Sequence, residues 1–120
     1  MKNDYVVDGN TTIIFIENKY GMYETTISTA DLPRISEEVS AIYVHLWDST
    51  PYAVARTKNK KRVLLHRFIM EPPKGMEIDH LNRSGLDNRR ENLKICTRAE
   101  NAKNKRYRAD YSHHPRNIKP

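Results

Sequence analysis

The segment EIDHLNRSGLDNRRENLKICTRAENAKNK, residues 77–105, is crowded with groups that do chemistry and poor in groups that fill a core. Asp79 offers a hard anionic oxygen and Asn101 a neutral carbonyl oxygen. Two protein oxygens, with the remaining positions left to water and phosphate, suit Mg²⁺ or Mn²⁺. They do not suit zinc, which asks for Cys or more His. The single cysteine, Cys96, excludes a CxxC pair within the chain. His80 follows Asp79 directly, and adjacent strand residues point to opposite faces. The imidazole can therefore approach a substrate from a different side than an ion held by Asp79. With an ordinary pKa of about 6.5, a neutral His80 can take a proton from water. An ion in such a place would stabilise the charge that develops on a phosphate and its leaving oxygen. Arg83, Arg89, Arg90 and Arg98 surround the group and could grip flanking phosphates. Each of these arginines taken singly reads equally well as solvent-facing.

The elements that must position these groups follow from the local pattern. GMEIDH (75–80) reads as a strand after a Gly turn, and residues 81–92 as a loop. LKICT (93–97) reads as a second strand, with Leu93, Ile95 and Thr97 on one face. Thr97-Arg98-Ala99-Glu100 is a capping box, and the helix it starts is predicted from Arg98 through at least Arg106. Asn101 then lies about one turn into that helix, where it can face the Asp-His pair. Asn104 and Lys105 share its face, three and four residues on. Asn104 reads evenly as active-site wall or as plain helix surface. Upstream, VLLHRFIM (63–70) spaces Leu64, Leu65, Phe68 and Ile69 as a helix stopped by Pro72-Pro73. His66 and Arg67 fall off that stripe.

The first half is strand-rich. TTIIFIEN (11–18) and GMYETTIS (21–28) read as paired strands turning between Asn18 and Gly21. TADLPRISEEV (29–39) reads as a short helix capped by Thr29, with Pro33 near its first turn. SAIYVHLWD (40–48) alternates Ile42, Val44 and Leu46 with Tyr43, His45 and Trp47, and PYAVART (51–57) pairs with it. His45 reads here as a strand filler. The fold class expected is α+β. It divides into an acidic, strand-rich unit over 1–57 with no assigned role, a core over 58–108, and a basic tail over 109–120.

Charge separates the two halves. Residues 1–55 hold three Lys/Arg against eight Asp/Glu, and residues 56–120 hold eighteen against seven. The halves carry −5 and +11 within an overall +6. A basic half of this kind attracts a polyanion, and nucleic acid is the usual one. Lys103, Lys105, Arg106 and Arg108 extend the basic surface beyond the loop arginines. No apolar run approaches the ~20 residues that span a bilayer, and the N-terminal stretch lacks the apolar core of a signal peptide. A cytoplasmic protein is expected.

Several elements in register resemble one family. The helix with Leu65-His66-Arg67, the strand Ile78-Asp79-His80, the loop GLDNRRENL and the helix with Thr97, Asn101 and Asn104 together are similar to the HNH endonucleases. The phage and intron-associated homing branch is the nearest in pattern. The resemblance covers roughly residues 62–106. It implies a ββα-metal fold that hydrolyses a DNA phosphodiester with one divalent ion, Mg²⁺ or Mn²⁺, and without zinc. By position it implies that Asp79 and Asn101 are metal ligands and His80 the general base. It implies that Asn92 braces the loop backbone and that His66 has a supporting role beside the site. Homing members usually carry a further DNA-binding module, and here only the short basic tail follows the motif. Two other functions are carried beside the nuclease. One is a DNA-binding module of the same fold with little catalysis. The other is a phage interaction protein whose acidic unit mediates homodimerisation or binds a host factor.

Overall fold

The computed structural model describes residues 1–102. The fold is mixed α+β and strand-rich. It has a four-stranded sheet, a three-stranded sheet and a two-stranded hairpin.

The four-stranded sheet begins with β1 (Tyr5–Asp8), β2 (Thr11–Asn18) and β3 (Gly21–Ser28), each antiparallel to the next. Both bounds of β2 and β3 agree with the sequence pattern. Alternation decides what each strand buries: Thr12, Ile14 and Ile16 of β2, and Thr25 and Ile27 of β3, face the interior. β1 is an exposed edge strand that the sequence pattern did not suggest. A 3-10 turn (Thr29–Asp31) leads into helix α1 (Leu32–Glu38). Thr29 does not cap that helix. It lies inside the 3-10 turn and donates its hydroxyl to the Gly9 carbonyl at 2.9 Å. A side chain committed to the β1–β2 turn is not available to cap a helix starting three residues later.

The three-stranded sheet is built from β4 (Val39–Trp47), β5 (Thr50–Thr57) and β6 (Arg62–Leu64), all antiparallel. The predicted helix over 63–70 is shorter than expected: α2 runs Leu65–Met70, and Val63 and Leu64 belong to β6. Val63 and Leu64 find cross-strand partners in Ala55 and Val54, and pairing overrides helical spacing there. Asn3 ties the two larger sheets together. Its amide donates to the carbonyls of Phe15 and Ile42, and its oxygen accepts from the Ile42 N–H.

The hairpin is β7 (Glu77–His80) against β9 (Leu93–Cys96), with His80 opposite Leu93. Inside the intervening loop lies β8 (Asp87–Asn88), which pairs parallel to β3 and so joins the loop to the N-terminal sheet. A shared core of Ile14, Ile27, Ile35, Ile42, Leu65 and Ile69, with Ile78 and Leu93 from the hairpin, sits between these layers. Residues 98–102 are helical, and the capping box that starts them closes in both directions. The Thr97 N–H donates to Glu100 Oε1 at 2.8 Å and the Glu100 N–H donates to Thr97 Oγ1 at 3.0 Å. Hydrogen bonding of the Glu100 carboxyl to the Thr97 backbone N–H and then to the Thr97 side chain holds it below its ordinary pKa. Among the described residues no helix is long and apolar enough to cross a membrane.

Candidate active site

The site is assembled around β7. Asp79 and His80 are both buried at its end. Glu77 and Asp79, two residues apart, lie on one face of the strand, and His80 lies on the other. The first turn of the C-terminal helix crosses the Glu77 side. There the Asn101 amide donates to Glu77 Oε1, and the Asn101 backbone N–H donates to the Thr97 carbonyl. Arg98 reaches the second oxygen of Glu77 at 3.4 Å.

That anchoring has a consequence for Asn101. Its NH₂ is committed to Glu77, so its carbonyl oxygen must point elsewhere. Asn101 is 1% exposed, and Oδ1 has no hydrogen-bond partner among the described residues. A buried carboxamide oxygen without a partner costs on the order of 1–3 kcal/mol. The cost is removed if the oxygen ligates a cation. Asp79 and Asn101 offer hard oxygens of the kind that small divalent ions take. Among the described residues no cluster of three or more His, Cys, Asp and Glu side chains could hold a metal.

The His80 side is governed by a chain of hydrogen bonds whose direction is fixed at its far end. The Leu86 carbonyl can only accept, and Thr25 Oγ1 donates to it at 2.6 Å. The Thr25 oxygen is then the acceptor for Asn88 Nδ2 at 2.9 Å. Asn88 Oδ1 is in turn the acceptor facing His80 Nε2 at 2.9 Å. The proton of a neutral His80 therefore sits on Nε2, and Nδ1 is the basic nitrogen. Thr25 and Asn88 are completely buried, so no water competes for these bonds.

Two further rings pack here. His66 meets His80 edge to face, with centroids 4.7 Å apart. Tyr52 of β5 lies 5.9 Å from His80 and 6.4 Å from His66. Burial, and then the nearby Asp79 carboxylate, push the Tyr52 phenol above its ordinary pKa. Gly85 makes this contact possible: a Cβ there would collide with the Tyr52 ring and the Pro51 carbonyl oxygen.

Asn92 is buried and holds the loop from inside. Its oxygen accepts from the Asn82 N–H at 2.9 Å, and its NH₂ donates to Asn82 Oδ1 at 2.9 Å and to the Asp87 carbonyl at 2.8 Å. The arginines divide. Arg89 forks onto Asp87 at 2.7 and 2.8 Å and reaches Glu91 at 3.3 Å. That pairing, assisted by Thr26 and Asn82, holds the Asp87 carboxyl at about 2. Arg90 grips the buried Asp31 at 2.9–3.1 Å and donates to the Ile69 carbonyl. The guanidinium groups of Arg89 and Arg90 are thus engaged within the protein, joining the loop to itself and to the N-terminal half. Arg83 and Arg98 are exposed beside the site. Lys103, Asn104, Lys105, Arg106 and Arg108 lie outside the described residues.

Of the residues singled out in the sequence, His66 packs against His80, Asn92 bonds Asn82 in the loop that follows β7, and Asn101 bonds Glu77, two residues before Asp79. The reading missed Asn88, Thr25, Tyr52 and Glu77. Asn88 carried a faint signal, standing in a loop with a second asparagine four residues on. Thr25 carried none, because its role is set by a residue 63 positions away.

Residues 63–103 match the profile of the family described as HNH endonuclease. No curated protein and no solved structure matches the chain. The matched segment contains Asp79, His80, Asn88, Asn92 and Asn101, and it suggests nuclease activity on nucleic acid. Members of such a family typically use a divalent metal.

Proposed function

Taking the HNH endonuclease match over residues 63–103 as premise, we propose that this protein hydrolyses DNA phosphodiester bonds with the help of one divalent cation. His80 Nδ1 takes a proton from the attacking water. The bonded chain through Asn88 and Thr25 keeps the other proton on Nε2 and holds the ring still. Asp79 and Asn101 Oδ1 hold Mg²⁺ or Mn²⁺, which when bound supplies Lewis-acid stabilisation of the phosphate and its leaving oxygen. Asn92 keeps the loop shaped so that Arg83 can meet a flanking phosphate, and Arg98 does the same from the helix. The +11 charge of residues 56–120 draws the polyanion in.

The observation that carries this reading is the pairing of two features on opposite faces of one strand. One is the buried carboxamide oxygen of Asn101, without a hydrogen-bond partner among the described residues, on the face of Glu77 and Asp79. The other is a histidine whose tautomer is dictated by a bonded chain that ends in a carbonyl.

Cleavage of supercoiled plasmid tests it, run with Mg²⁺, with Mn²⁺ and with chelator. Metal-dependent nicking is expected. His80→Ala is expected to lose ~10²–10⁴-fold in rate while still binding DNA. Cleavage unaffected by chelator would overturn the metal assignment.

A further inference from the structure

The three-stranded sheet carries a second group of functional side chains that the cleavage chemistry does not use. Tyr43, His45 and Trp47 recur at every second residue of β4, the period that places them on one face. Tyr43 and His45 are exposed and Trp47 is half-buried. The rings of His45 and Trp47 meet edge to face at 5.0 Å. Together they wall an open cavity of about 660 Å³, with Val54 of the neighbouring strand in its lining and Arg62 and Arg67 completing it.

The chemistry of this cavity is selective. Among the described residues its lining has aromatic faces, the aliphatic side chains of Val44, Val54, Val63 and Leu64, two guanidinium groups and no carboxylate, although the half of the chain that supplies the aromatics is net acidic. Exposed Lys58, Lys60 and Lys61 lead into Arg62. A purely apolar ligand has no use for the arginines, and a bare anion has no use for the rings. A flat, unsaturated group attached to a phosphate uses both. The volume suits one such group, since small-molecule pockets run ~300–1,000 Å³.

Its position joins it to the cleavage site. His45 pairs directly with Tyr52 across β4 and β5, and residues directly opposite share a face. Tyr52 is the residue whose ring stands beside His80. On the other side, Arg67 follows His66 in α2. A strand lying across the cleavage site would reach this pocket next.

We propose that the pocket receives an unstacked base of the substrate strand. The Tyr43, His45 and Trp47 rings contact the base, and Arg62 contacts its phosphate. The inference rests on the reading of the protein as a DNA nuclease. It adds that the substrate is single-stranded, or opened, beside the cut.

Trp47 is the chain's one tryptophan, so its fluorescence reports on this pocket alone. The test titrates the full chain, in chelator, with a short single-stranded deoxyoligonucleotide and with the same sequence as duplex. Anisotropy of labelled DNA is followed in parallel. Expected are quenching of Trp47 by the single strand and weaker quenching by the duplex. Tyr43→Ala and Arg62→Ala are each expected to raise the half-saturation concentration about tenfold. Both residues are exposed, so the substitutions leave the far-UV circular dichroism unchanged. Emission that stays constant while anisotropy shows saturated binding would overturn the proposal. So would quenching that neither variant weakens. Plasmid nicking that persists with a silent Trp47 would sink the pocket and leave the nuclease standing. Quenching without metal-dependent nicking would sink the nuclease and leave a pocket that binds single strands.

Discussion

The four-stranded sheet and the loop over residues 81–92 hold their shapes by different forces. Ile14, Ile16 and Ile27 of the sheet are buried to within a few per cent, and strands β1 to β3 add continuous ladders. Its stability is mostly nondirectional burial. The loop contributes little to any core. It is held by Asn82, Asp87 and Asn92, which bond to one another and to the backbone. Apolar burial tolerates small changes of shape, whereas a bonded network fails when one atom is missing. His80 hangs from both, since Asn88 belongs to the loop but bonds to Thr25 of the sheet. The sheet provides a rigid support and the loop sets the atomic detail.

This contrast can be broken from either side. The largest stability effect is expected in the loop. Asn92→Ala removes three hydrogen bonds at a buried position and leaves the Asn82 and Asp87 partners without it. A loss of about 3 kcal/mol is expected in urea denaturation, together with loss of plasmid nicking. In the sheet, Ile27→Val deletes one fully buried methyl group. It is expected to cost about 1 kcal/mol and to leave the nicking rate as in wild type. If Ile27→Val lowered the rate as much as Asn92→Ala does, the division between support and detail would be wrong.

A smaller effect sharpens the comparison through pH. Asp87 is held at about 2, chiefly by its bond to Arg89, against an ordinary 3.8. A carboxyl lowered on folding stabilises the protein above its unfolded value and loses that contribution as pH falls through the folded one. Stability from this clamp is therefore complete above about pH 4 and fades toward pH 2. Asp87→Asn is expected to show a shallower loss across that window in acid unfolding followed by circular dichroism. An identical acid profile in wild type and variant would remove the clamp from the account.

Legibility in the sequence followed the range of the forces. The hairpin of β2 and β3 was readable with correct bounds, because a β-branched run and a turn at Asn18–Gly21 are local signals. The capping box at Thr97 and Glu100 was readable for the same reason, its two bonds spanning three residues. Asp79, His80 and Asn101 stood out by residue type and by the strand, loop, strand, helix order around them. What stayed hidden was long-range. Two-residue β8 exists only because Thr26 and Ile27 are there to pair with it. The first residues of the predicted 63–70 helix, Val63 and Leu64, went into β6 by pairing with β5. Arg89 and Arg90 look alike in sequence, yet one folds back on Asp87 and the other reaches Asp31, 59 residues away. Thr25 is one of several threonines in β2 and β3, and nothing local marks it as the support for Asn88 and, through it, His80.

The most direct test of the central claim, a His80 base aligned by the N-terminal sheet, is a comparison of plasmid nicking rates at saturating Mn²⁺. Wild type, His80→Ala, Thr25→Val and Thr25→Ser are measured as full chains across a range of pH. The account predicts near-complete loss for His80→Ala. For Thr25→Val it predicts a roughly ten- to a hundredfold loss with an altered pH profile, since the tautomer is no longer imposed. Thr25→Ser, which keeps the hydroxyl, should restore both rate and profile. Wild-type rates in His80→Ala would contradict the base assignment. Equal rates in Thr25→Val and Thr25→Ser would contradict the alignment.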